Sequence, residues 1–390
     1  MGAVESPIVA VERRGPVVIL RPTEGGWGRS VVVDAGFWPT WNPAAPLLAV
    51  SGVADPGSGA TIELIDSEGR AAGTLFRPAP GSPGGIGPRI PHYAMWDPTG
   101  EILSYVAPGS DGLTLFTASP ANPGVQIPLL SGAPIFSAWS PDGATLAVHA
   151  GDRVTLLYPT QGAPPVVLPG NAIGFRTPAF SSGGTLVYAV AEAGAVSLRR
   201  TNAVGDSPTP LADFPGGVAF AFRPGTETLY VAMTRSPDTG LFDELSALDA
   251  DRPTAPRRIT RGPFAAFLWA PAGDRLLLVT PTQSGDGRFA LQARSPDGRP
   301  DGVTEGFVPS ADLRTYLNFF DQFALSHRLY SPDSESFLIA GRIAGDAVHG
   351  TFGDPIGNFV MRWHPGRGQP LELVAPGEIG LYPPPGGPDR

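Results

Sequence analysis

Residues 138–148 read AWSPDGATLAV. An aromatic ends one strand, Ser140-Pro141-Asp142-Gly143 makes a tight turn, and an apolar strand runs back. Proline presets φ at the second turn position, aspartate can bond nearby backbone, and glycine accepts φ > 0. The unit recurs with wear along the whole chain. Its aromatics are Trp41, Trp96, Trp139, Phe180, Phe222, Trp269, Tyr330 and Tyr382, at successive spacings of 55, 43, 41, 42, 47, 61 and 52 residues. Such a period suits four-stranded blades of roughly 40–50 residues, the longer spacings holding insertions.

Apolar strands separated by turns follow each aromatic. The third unit shows TLAVHA, VTLLYP and PPVVLPG in order. The two ends complete each other. EIGLYPPP, around Tyr382, is a first strand with nothing after it, whereas IVAV, PVVILRP and RSVVVDA are three strands with no aromatic turn before them. Together they make one blade, and joining them removes the exposed sheet edges that invite aggregation. The expected fold is therefore all-β: an eight-bladed β-propeller over residues 1–390, a single domain closed by its C-terminal strand.

The aromatic-Ser-Pro-Asp-Gly turn followed by an apolar strand resembles the TolB-type, WD40-like propeller repeat. The match is close at Trp139 to Gly143, partial at Trp96 to Gly100 and Tyr330 to Ser334, and degenerate at Phe180, Phe222 and Tyr382. The resemblance spans the chain and implies a fold rather than an activity. TolB itself adds an N-terminal α/β domain and works in the periplasm. Prolyl oligopeptidase-type peptidases pair such a propeller with a hydrolase domain, and no G-x-S-x-G elbow is present here.

All 27 residues of the Lys+Arg count are arginine, a composition expected of a GC-biased bacterial genome. Lysine nucleophiles, Schiff bases and P-loop lysines are therefore excluded. A net charge of −9 argues against nucleic acid as a partner. With 0 cysteines there are no disulfides, thiolate catalysis or cysteine-bound metals. No basic leader with an apolar stretch opens the sequence, and no run of about 18 apolar residues occurs, so no membrane insertion is expected. The expected setting is cytoplasmic, or periplasmic or extracellular if a leader has been removed, and the expected state is a monomer.

The 61-residue spacing marks an insertion near 303–322, in PSADLRTYLNFFDQFALSHRLYSPDS. Ser310 fits an N-cap, and Leu313, Tyr316, Leu317 and Phe320 recur at helical spacing, predicting a short helix over 310–320 on one face of the disc, read as a hydrophobic plug or lid covering the funnel, with a ligand-gripping element as the alternative. Aligning the units on their aromatics puts His327 in one ring with Trp38, Tyr93, Phe136 and Thr177. The ring one residue earlier holds His92, Arg176, Ser326 and Glu378. With Asp321, Gln322 and Arg328 these make a polar set at one channel mouth: His92, Tyr93, Arg176, Asp321, Gln322, His327, Arg328 and Glu378 are the candidate ligand-binding residues. His92, His327 and Gln322 could offer nitrogen and oxygen to a divalent metal. No H-x-H or H-E-x-x-H spacing supports that, and neither cofactor, metal nor catalytic residue is assigned. The Asp-rich loops at 236–244 and 295–302 miss the calcium-loop pattern and read as solvated turns.

The reading these residues favour is a non-catalytic scaffold that binds a protein partner or small-molecule ligand at its funnel face. One alternative is a channel-centred lyase or hydrolase, with His327 or His92 as base and Arg328 or Arg176 on an anionic substrate. The other is a TolB-like envelope assembly factor.

Overall fold

The turn at 140–143 forms as its residues dictate. Gly143 N–H donates to Ser140 O at 2.9 Å with Gly143 at φ 71°, and the Asp142 carboxylate accepts from the Ser140 hydroxyl at 2.5 Å. The same bond closes the turns at 97–100, 181–184, 270–273 and 331–334. In the last of these Ser334 occupies the left-handed position at φ 66° where the other turns carry glycine. The computed structural model describes residues 6–385 apart from 14, 54–59, 78–92, 110–111, 175, 193, 253–254, 344–356 and 369.

From each turn the chain builds an antiparallel meander. Gly36–Trp41, Leu47–Val53, Ala60–Asp66 and Ala71–Phe76 pair in sequence order, as do the four strands from Ile135–Trp139 to Ala163–Val167 and from Gly217–Phe222 to Arg257–Phe264. Met95–Trp96 opens another such sheet and Ala179–Phe180 a further one, in which Asn171–Ala172 also pairs with Leu186–Glu192. Ala266–Trp269 opens a longer sheet, because Phe307–Pro309 bridges Phe289–Arg294 to Phe337–Ile343. The chain ends meet in one sheet: Ile379–Leu381 lies antiparallel to Ile8–Val11, in the register Val9↔Leu381, Ala10↔Gly380 and Val11↔Ile379.

Short apolar runs serve these strands because neighbouring sheets cover both faces. Leu276, Leu277, Leu278 and Val279 are all buried, although alternate ones point to opposite sides. Side chains stitch sheet to sheet as well: the Trp96 indole donates to Thr40 O at 3.3 Å and the Trp139 indole to Ser104 Oγ at 3.2 Å. An indole at the end of an inner strand can bury its rings and still find an acceptor on the preceding sheet.

The insertion departs from this regularity. It forms two helices, α1 (Ala311–Asn318) and α2 (Phe320–Phe323). Ser310 caps α1, its hydroxyl accepting from Leu313 N–H at 3.1 Å while donating to Glu378 O. Leu313, Tyr316, Leu317 and Phe320 are buried at the helical spacing of the sequence. At the root of the insertion Gly341 has φ 157°, and a Cβ there would fall 2.1 Å from Val308 O. Only glycine lets the strand before α1 lie this close to its neighbour.

The helix expected over 310–320 forms as α1, and a second helix, α2, follows it, so the insertion is not confined to one face of the disc. The apolar period continues past Phe320 into Phe323, which is 0% exposed, and the insertion enters the ring of inner strands. All four residues of α2 are buried, so it is surrounded on every side.

Candidate functional site

The inner strand of a sheet has one edge with no neighbour, so its outward N–H and C=O groups must find partners elsewhere. Two consecutive residues of α2 supply them. Gln322 is 0% exposed; its Oε1 accepts from Ser137 N–H at 2.8 Å and its Nε2 donates to Ser137 O at 3.0 Å. The side-chain amide thereby acts as a one-residue extension of the ladder. Asp321 meets only the N–H side on the next sheet, its Oδ2 accepting from Thr177 N–H at 3.2 Å. Burial pushes the Asp321 carboxyl up, opposed by the charge of Arg176 and by the Thr177 N–H. Arg176 itself lies over the Phe242 ring, 5.9 Å from its centre.

Aromatic side chains fill the rest of the channel. Phe323 stacks on Trp38 at 4.4 Å between ring centres and on Tyr316 at 5.5 Å, and meets Tyr93 edge-on at 5.3 Å. Phe320 reaches the opposite wall, 5.2 Å from Phe267 and 6.1 Å from Phe242. Trp38 and Tyr93, at equivalent ring positions, have φ 44° and 43°. Bulky side chains rarely adopt this conformation, which costs of order 1–3 kcal/mol each and persists only where the surroundings hold it. Here both rings are held against Phe323.

His327 closes the set. Its Nδ1 is 2.7 Å from the Ser326 hydroxyl and its Nε2 is 3.3 Å from Trp38 O, so the neutral tautomer with hydrogen on Nε2 satisfies both nitrogens. Tyr316 OH donates to His327 O at 3.0 Å. Burial pushes the imidazole down to about 4. A folded pKa below the unfolded value of about 6.5 means that the native state binds fewer protons between those limits. The stability this contributes is full above pH 6.5 and is lost as pH falls toward 4. At about 1.4 kcal/mol per pH unit the loss is about 3 kcal/mol. Urea titrations at pH 7 and 4.5 should show His327→Gln losing correspondingly less than wild type on acidification; equal losses would contradict this environment. Asp312 acts in the opposite sense. Burial and the neighbouring Glu378 charge push its carboxyl up to about 6, so its contribution falls as pH rises from about 4 through 6.

The structure brings Tyr93, Asp321, Gln322 and His327 together around α2, with Arg176 beside Asp321. Glu378 sits apart, beside the start of α1, its carboxylate accepting from Asn358 Nδ2 at 2.8 Å. His92 lies outside the described residues. The expectation of one mouth is corrected: the insertion runs through the channel, and the polar set divides between its two ends. At one end Arg176, Leu317, Asn318 and Phe319 line a depression of about 770 Å³ with Gly194 of a hairpin loop and Gly217 at the start of an inner strand. At the other, among the aromatic turns, Leu325 and Arg328 are shared by two depressions of about 200 and 260 Å³. Strand alternation and the turn of chain at 324–327 separate residues that lie close in ring alignment. Sequence reasoning missed Ser137 and Phe323 as parts of this centre, although the spacing from Phe320 to Phe323 continued the helical period; it placed Trp38 in the ring of His327 without counting it among the site residues.

Among the described residues no group of three His, Cys, Asp or Glu side chains could hold a metal. The loops at 236–244 and 295–302 present Asp238, Asp243, Asp297 and Asp301 toward solvent, Asp301 pairing with Arg275 at 3.0 Å. Among the described residues no helix is long and apolar enough to cross a membrane.

No protein-family model matches the chain, and no curated protein matches it in sequence. Solved structures do match in fold. The fold is a β-propeller. A prolyl endopeptidase aligns at TM-score 0.59 with 11% identity over 90% of this chain, which spans 50% of that protein. A eukaryotic initiation factor aligns at TM-score 0.55, 13% identical, over 97% of this chain and 99% of that one. An oligogalacturonate lyase in complex with manganese aligns at TM-score 0.52, 14% identical, over 85% and 86%. The repeat that resembled the TolB-type, WD40-like unit is thus a propeller repeat. At these identities the likeness extends to the fold alone.

Proposed function

We propose that the protein is a non-catalytic recognition scaffold, a monomeric eight-bladed propeller whose filled channel holds two differently built mouths rigid for a protein partner or small ligand. The observation that carries this reading is the use of the channel's polar groups: Gln322 bonds both backbone groups of Ser137, and both His327 nitrogens are engaged. A base needs a free lone pair directed at a substrate proton, whereas these groups bind the plug to its wall. The blade count rests on the eight aromatic turns and on the pairing of the first and last strands. A cytoplasmic setting belongs to the same proposal.

The lyase reading keeps one favourable point, the manganese-bound oligogalacturonate lyase among structures of similar fold. One comparison separates the two. Tagged wild type is set beside Leu325→Asp and Asn318→Arg, which alter exposed residues at opposite mouths, in affinity capture and in an oligogalacturonate cleavage assay with manganese. The scaffold reading expects capture that one mouth variant abolishes, and no cleavage. Cleavage that His92→Ala abolishes, with capture unaffected by either mouth, would overturn it.

A further inference from the structure

The mouth at the aromatic turns holds a charge that the fold does not use. The Arg328 guanidinium makes no ion pair or side-chain hydrogen bond among the described residues, although its backbone C=O accepts from Tyr382 N–H at 2.8 Å. It borders both depressions at this end. Trp41, Trp96 and Trp139 wall one, and Phe222, Trp269 and Tyr330 wall the other. Leu325, 39% exposed, sits between them. Partly burying an arginine without a partner is unfavourable, and a ligand carboxylate meeting the guanidinium through two parallel N–H···O bonds would remove that cost.

We propose that this mouth binds a small monocarboxylate with an aromatic or branched apolar body, its carboxylate on Arg328 and its body among the turn aromatics. The proposal rests on the reading of the protein as a recognition scaffold and names the ligand class for one mouth. Three features select that class. Among the described residues Arg328 is the only basic one lining either depression, so one negative charge is matched. Asp321 borders the first depression and disfavours a phosphate or other multiply charged anion. The two volumes, about 200 and 260 Å³, each take a ring or branched side chain, and together they reach the range of a ligand pocket.

The test is calorimetric titration of the full chain with 3-phenylpropionate and with its neutral amide. The acid should bind saturably and at least tenfold more tightly than the amide. Arg328→Gln should erase that preference. So should Leu325→Glu, which sets a carboxylate at the rim shared with Arg328 from an exposed position and leaves the bridge between Arg328 and Tyr382 in place. No saturable binding of the acid, equal affinity for acid and amide, or a preference that survives both variants would overturn the proposal. If capture of a partner is still lost in Leu325→Asp under any of those outcomes, the carboxylate site fails while the scaffold reading stands.

Discussion

Phe323→Ala is expected to lower the free energy of unfolding by about 3–5 kcal/mol, the range for removing a buried phenyl ring whose surroundings cannot collapse. Collapse is blocked on each side. Trp38 and Tyr93 hold their rings against Phe323 from left-handed backbone positions, and Tyr316 and His327 complete the shell at 5.5 Å each. Each neighbour is itself anchored, Tyr316 through its hydroxyl to His327 O and His327 through both nitrogens. The cavity therefore stays open. Urea unfolding with an unchanged slope and a lowered midpoint would carry the result. A loss under about 1 kcal/mol would show that α2 is not packed in the channel as described.

Gln322→Met is expected to cost about 2–5 kcal/mol, although the side chains have similar volume. Ser137 N–H and C=O would remain buried on the inner edge of their sheet with no partner, and each stranded group costs about 1–3 kcal/mol. Removing an exposed glutamine would cost within about 0.5 kcal/mol, so the size of the effect distinguishes a ladder extension from an incidental contact. Gln322→Asn should fail as well, since one fewer methylene withdraws the amide from Ser137. Unfolding midpoints of both variants close to wild type would contradict the role.

The architecture was legible because its information is local and repeated. Pro141, Asp142 and Gly143 each state a backbone preference, and the eight aromatics state where inner strands end. The pairing of Ile379–Leu381 with Ile8–Val11 follows from two incomplete units that complete each other. The insertion was legible in part. Ser310 and the Leu313 to Phe320 spacing foretold a capped amphipathic helix, and alignment on the aromatics brought Trp38, Tyr93, Thr177 and His327 to one level. Depth was not legible. Gln322 and Asp321 bond backbone atoms of Ser137 and Thr177, and a backbone acceptor leaves no mark on residue identity. Nor could ring alignment show that Arg176 and Arg328 face opposite mouths, because it fixes a position along the strand and not the path of the chain between strands.

Hydrogen exchange across 311–327, read by mass spectrometry beside the inner strands Gly36–Trp41 and Ile135–Trp139, tests the filled channel most directly. Helices buried in the ring and bonded to its edges should open only with the strands, so both should exchange at the rate of global unfolding. Exchange of 311–327 within seconds, while the inner strands stay protected, would make the insertion a lid over an open channel and contradict this account.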